Sequence, residues 1–159
     1  MSTERPVESV WDYPRPPAVD ASGETVEVHL DGRCIARTGS PLRVLETSHP
    51  PTYYLPRSAF ERGVLVPVPG TTFCEFKGEA AYFDVVVDEA RAPRAAWLYP
   101  HPSPGYERLA DHVGVMPGAM QGCYVDGERV TPQEGSFYGG WITSRVTGPF
   151  KGAPGTLHW

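Results

Sequence analysis

Residues 24–38 read Glu-Thr-Val-Glu-Val-His-Leu-Asp-Gly-Arg-Cys-Ile-Ala-Arg-Thr. Val26, Val28 and Leu30 alternate with Thr25, Glu27 and His29, the period-two mark of a strand with one face buried. Asp31-Gly32 follows, a pair that tolerates the left-handed backbone of a two-residue hairpin turn, and Arg33–Thr38 alternates again. The stretch is a β-hairpin. Tyr124–Val130 repeats the pattern around Asp126-Gly127, and Thr71–Phe76 and Ala80–Val87 flank a tight connection at Lys77-Gly78-Glu79. Ala95–Tyr99 is a further strand closed by Pro100, while Pro50-Pro51 divides Arg43–Leu55 into two strand pieces around a kink.

The 17 Gly and 18 Pro rule out a helical bundle, because proline removes a helix donor and glycine costs backbone entropy. The expected fold is therefore mostly β and antiparallel, with one or two short helices. The best helix candidate is Tyr106–Val113, whose Leu109, Ala110 and Val113 would face the core, and Pro56–Phe60 offers one further turn. A length of 159 residues suits one domain. Its expected organisation is a Pro-rich N-terminal arm (1–22), a core domain (23–133) and a Gly/Pro-rich, aromatic C-terminal tail (134–159) packed on the core or on a partner subunit. A homodimer is one arrangement that such a tail allows.

No run approaches the ~20 apolar residues of a membrane helix, and the N-terminus lacks a secretory pattern, so no membrane partner and a cytoplasmic location are expected. Cys34, Cys74 and Cys123 are odd in number and form no Cys-x-x-Cys, which fits reduced thiols. A formal net charge of −5 without a basic stripe argues against nucleic acid. The five histidines are read as showing no His-x-x-x-His and no His/carboxylate spacing that would place two ligands on one face, so neither a metal nor another cofactor is expected.

The densest polar and aromatic stretch is Arg43-Val-Leu-Glu-Thr-Ser-His-Pro-Pro-Thr-Tyr-Tyr-Leu-Pro56. Strand alternation sends Arg43 and Glu46 to opposite faces, and a kink is needed to bring them together. With such a kink, Arg43 would bind a carboxylate or phosphate and Glu46 would act as a base, helped by Tyr53, Tyr54 or His49. The competing reading is a buried Arg43–Glu46 pair that locks a strand. In the second cluster, Cys74-Glu-Phe-Lys-Gly-Glu-Ala-Ala-Tyr82, a cation at Lys77 favours a Cys74 thiolate nucleophile, although a lone cysteine serves equally as a small buried hydrophobe. Lys77 and Tyr82 are placed with Arg43 and Tyr53 as substrate-binding residues, and Glu46, Tyr54, His49 and Cys74 as catalytic candidates.

These two stretches, together with Ala96-Trp-Leu-Tyr-Pro100, resemble the bacterial domain-of-unknown-function 427 family over roughly residues 26–130. Phe137-Tyr-Gly-Gly-Trp-Ile-Thr-Ser144 is similar to an extension found in a subset of such proteins, often actinobacterial. The resemblance implies a compact β-tent-like sheet or barrel whose motif residues converge on a central cavity. The zinc that other β-tent proteins carry on Cys-x-x-Cys knuckles is not implied, since the knuckles are absent. A nucleotidyltransferase label sometimes given to the family finds no carboxylate pair to hold the required metal.

The function expected is a cofactor-independent acid–base enzyme acting on a small anionic or carbonyl-containing metabolite, in secondary metabolism for instance. A non-catalytic small-molecule-binding module and a structural or interaction protein stand as alternatives.

Overall fold

Asp31 (φ 51°) with Gly32 (φ 77°), and Asp126 (φ 49°) with Gly127 (φ 82°), adopt the paired left-handed conformations that two-residue hairpins demand. These turns belong to a computed structural model that describes residues 5–135, 139–156 and 158–159. Its strands in chain order are β1 (Glu8–Ser9), β2 (Ala18–Ala21), β3 (Val26–Leu30), β4 (Arg33–Thr38), β5 (Leu42–Leu45), β6 (Thr52–Pro56), β7 (Leu65–Cys74), β8 (Gly78–Val87), β9 (Ala90–Leu98), β10 (His112–Val115), β11 (Gly122–Val125), β12 (Glu128–Arg129), β13 (Thr131–Pro132), β14 (Trp141–Ile142) and β15 (Val146–Thr147).

Seven strands form one sheet in the order β2-β5-β6-β10-β9-β8-β7, every neighbour antiparallel. A four-stranded sheet, β12-β11-β3-β4, covers one of its faces. Neither sheet closes into a barrel among the described residues. The fold is mostly β, as its turn chemistry and strand alternation require. β2 lies within the segment expected to be an arm, and it serves as an edge of the large sheet through its pairing with β5.

The helix expected at Tyr106–Val113 is absent. Glu107–Leu109 makes a single 3-10 turn, Asp111 turns left-handed (φ 58°), and His112 opens β10. Eight residues hold a helix weakly without a packed face, whereas β10 gains ladder bonds on both sides, from β6 and β9. The turn expected near Pro56 is a 3-10 turn at Arg57–Ala59.

Strand alternation gives the large sheet two different faces. Tyr53, Leu55, Phe83, Val85, Ala96, Leu98, Val113 and Val115 pack with Val26, Val28 and Ile35 of the small sheet as the main core. Trp141 enters this core from the tail, fully buried, with its indole N–H donating to the Val115 carbonyl at 3.2 Å. Leu42, Val44, Tyr54, Ala80 and Tyr99 point the other way, joined by Tyr106 and Leu109 in a second cluster. That second face holds a cavity.

Candidate functional site

The cavity has a volume of about 560 Å3, within the range of about 300–1,000 Å3 that small-molecule sites occupy. Four stretches supply most of its wall. Val44 and Glu46 come from β5 and the loop after it, Thr52 and Tyr54 from β6, Thr72–Cys74 with Lys77 and Tyr82 from the β7–β8 hairpin, and Arg94, Trp97 and Tyr99 from β9 and its continuation.

The loop between β5 and β6 is fixed by backbone hydrogen bonds, Ser48 N–H to Val10 O at 3.1 Å and His49 N–H to Glu46 O at 3.0 Å. It holds Glu46 and His49 over the cavity. The His49 Nδ1 lies 2.9 Å from the Thr47 carbonyl, so the ring carries its proton there and Nε2 bears the lone pair. Burial pulls the His49 pKa below the ordinary imidazole value and outweighs the nearby Glu46 charge, which keeps the ring neutral near pH 7. Glu46 itself ion-pairs with Arg15 at 3.5 Å.

Lys77 sits in the β7–β8 turn. Its backbone N–H points at Cys74 Sγ (3.5 Å), and its carbonyl accepts from Ser103 N–H at 3.0 Å. Gly78 follows at φ 107°, where a side chain would be strained and would also press on Ser103 and the His101 carbonyl. The part-buried ammonium lies 5.9 Å from the centre of the Tyr99 ring. Burial acts against its charge, yet Tyr54, Cys74 and Glu46 together hold its pKa above the usual lysine value. Among the described residues no carboxylate reaches ion-pair distance of Lys77. Burial raises the phenols of Tyr54 and Tyr99, so both stay protonated as donors. Tyr54 in turn accepts from the Trp97 indole at 3.1 Å.

On the far wall the Arg94 guanidinium stacks 4.4 Å from the Tyr82 ring centre, and Tyr82 shares a 2.7 Å hydrogen bond with Thr72. Arg94 takes a left-handed backbone (φ 49°) held by Asp84, which accepts its N–H at 2.9 Å at a register shift in the β8–β9 ladder.

Of the residues singled out from the sequence, Glu46, His49, Tyr54, Cys74, Lys77 and Tyr82 line one cavity. Arg43 and Tyr53 do not. They are cross-strand partners whose side chains leave from the opposite face of β5 and β6, and no kink intervenes before Glu46 to rotate Arg43 inward. An Arg43–Glu46 pair is likewise not formed. Arg43 Nε and Nη2 donate to Asp20 at 3.0 and 2.8 Å, and Nη1 donates to Glu8 at 3.0 Å. Tyr53 donates to Glu24 at 2.9 Å, and Arg145 closes the group against Glu24 (2.8 Å) and Glu8 (3.5 Å). The Arg145–Glu24 atoms are close but not aligned as a hydrogen bond. Burial works against the Arg43 charge, and Asp20 and Glu8 outweigh it, holding the guanidinium above its usual range.

Several wall residues were not expected: Arg94, Met116, Gln133 and Gly139 arrive from parts of the chain with no motif. Trp97 and Tyr99 lay in an expected strand, and alternation with Ala96 and Leu98, which the structure places in the main core, turns them to the other face. Phe137 and Tyr138, part of the tail resemblance, lie outside the described residues.

A family model described as a domain of unknown function (DUF427) matches residues 18–126. The chain belongs to the DUF427 family. The match spans β2 to β11 and therefore most of the cavity wall, while Gln133 and Gly139, which complete the wall, lie past the end of the DUF427 segment. No curated protein matches the chain. No described helix is long and apolar enough to cross a membrane.

Proposed function

We propose that the cavity takes up a small anionic or carbonyl-containing metabolite and moves a proton on it without a cofactor. The observation that carries this reading is Lys77, a part-buried ammonium surrounded by phenols and a thiol, with the nearest catalytic-type carboxylate, Glu46, paired to Arg15 instead. A cation in that setting favours an anionic oxygen from a ligand, and the Tyr54 phenol beside it supplies a hydrogen-bond donor to the same oxygen. Neutral His49, with Nε2 as acceptor, and the Glu46 carboxylate are the proton acceptors in reach of such a ligand. Trp97, Phe73 and Met116 supply the apolar walls that bury the rest of a small molecule.

The test uses the full chain in deuterated buffer with a panel of small oxo acids. Thermal shift reads binding, and proton NMR reads exchange at the carbon next to the carbonyl. The expected outcome is a stabilising ligand whose C–H exchanges, with binding lost in Lys77→Met and exchange, but not binding, lost in Glu46→Gln or His49→Gln. Binding without exchange in the wild type would make the protein a recognition module. An equal shift from neutral analogues, retained in Lys77→Met, would remove the anion site altogether.

A further inference from the structure

The outer face of the small sheet carries a second constellation, remote from the cavity and independent of the reading given above. Glu27 and His29 are two residues apart on β3, so strand period two puts them side by side, against the expectation that no histidine shares a face with a carboxylate. Cys34 of β4 joins them through a register shift. Val28 pairs with Ala36, but His29 pairs with Cys34, so one extra residue, Ile35, is accommodated and Cys34 is turned opposite His29. Glu27 Oε1 lies 2.8 Å from His29 Nε2 and 4.0 Å from Cys34 Sγ, and the three donor atoms all fall within 4.8 Å of one another.

We propose that Glu27, His29 and Cys34 form a binding site for a zinc-class divalent cation, with one coordination position left open to solvent. Carboxylate, imidazole and thiolate are a donor set that borderline-soft tetrahedral ions select over magnesium or calcium. Bonds of about 2.0–2.3 Å to a tetrahedral ion set ligand atoms roughly 3.3–3.7 Å apart. The Glu27–His29 contact must open and the Glu27–Cys34 contact close by about half an ångström each, and the His29–Cys34 separation, at most 4.8 Å, by up to about an ångström, shifts that side-chain rotation supplies. Neighbouring groups already orient the donors. Arg37 Nε engages Glu27 through the other oxygen, Oε2, at 3.5 Å, which leaves Oε1 directed at His29 and Cys34. The Tyr124 ring meets His29 edge-on at 5.1 Å and limits its rotation. One thiolate and one carboxylate neutralise a dication, so no charge is stranded on this exposed face. Binding of the ion displaces the Cys34 thiol proton to solvent, so affinity rises with pH.

The full chain, stripped with a chelator, is titrated with cobalt(II) and then zinc. The expected result is a thiolate-to-cobalt charge-transfer band that saturates at one equivalent, is bleached by one equivalent of zinc, and disappears in Cys34→Ser. A second measurement keeps the result independent of how that variant folds: alkylation of Cys34 in the wild type, followed by mass spectrometry, should slow at least tenfold with zinc and not with magnesium. No band at one equivalent, a band that survives Cys34→Ser, or an alkylation rate indifferent to zinc would overturn the site.

Discussion

Arg43 and Lys77 are both cations withdrawn from water on either side of the same large sheet, and their surroundings are opposites. Arg43, almost fully buried, meets two carboxylates on four donor–acceptor contacts, and the network continues through Tyr13, Tyr53, Glu24 and Arg145. Lys77 has no carboxylate within ion-pair distance among the described residues, feels Glu46 only at longer range, and opens onto a cavity. A charge answered from within the chain supports the fold, and one left for an outside partner marks a site. Because β5 and β6 serve both faces, the two arrangements differ by one residue of alternation.

The largest effect that sharpens this contrast is on the network face. Arg43→Ala should lower the unfolding free energy by about 3 kcal/mol in urea denaturation, since Glu8 and Asp20 lose their counter-charge but are exposed enough to regain water. An unaltered midpoint would make the network incidental. Next comes Gly114→Ala on the cavity side. The new methyl would stand 2.7 Å from the Trp97 ring and 3.0 Å from Tyr54, forcing the wall to move. A loss of about 2 kcal/mol is expected with altered Trp97 fluorescence, whereas loss of stability with unchanged fluorescence would place the strain elsewhere.

Acid separates the two faces more gently. His49 is depressed, chiefly by burial, so below its ordinary pKa of 6.5 the unfolded chain takes up a proton that the folded protein refuses, and stability falls as pH drops from there. Glu8 is also depressed: burial opposes this, and hydrogen bonds from Arg43 and Tyr13 outweigh it. Its contribution is whole above 4.5 and is lost as pH falls through the lower folded value. His49→Gln should therefore flatten the stability profile just below pH 6.5, and Glu8→Gln the part below 4.5; one profile shared by both variants would break the distinction. The smallest effect is Lys77→Met, expected to change stability by less than about 1 kcal/mol while abolishing anion binding. A severe loss of stability would return Lys77 to the structural class.

The hairpins were legible because Asp31-Gly32 and Asp126-Gly127 encode their own geometry, and strand alternation at Val26 and Val28 reports a buried face directly. Six of the cavity residues were legible because they cluster in two short stretches. Arg43 was misplaced when a kink was invoked against plain alternation, which had put it opposite Glu46. Its true partners were beyond sequence reasoning: Glu8 is 35 residues away, and nothing local links Tyr53 to Glu24 or either to Arg145. Tyr106–Val113 carried an acceptable helical pattern, and only the long-range pairing of β10 with β6 and β9 decided against it.

Among the described residues β1 has one ladder partner, the parallel strand β15, and Glu8 lies opposite Val146 in that pair. Protein synthesis runs in one direction, at about 5–20 residues per second. β1 thus leaves the ribosome well before β15 and waits for it, unpaired. Until residues 141–147 emerge, the nascent chain lacks the indole that fills its core and the guanidinium that bridges Glu8 to Glu24. Assembly of this pair therefore waits until residue 147 has emerged, and β1 is exposed until then to whatever chaperones or proteases stand at the exit.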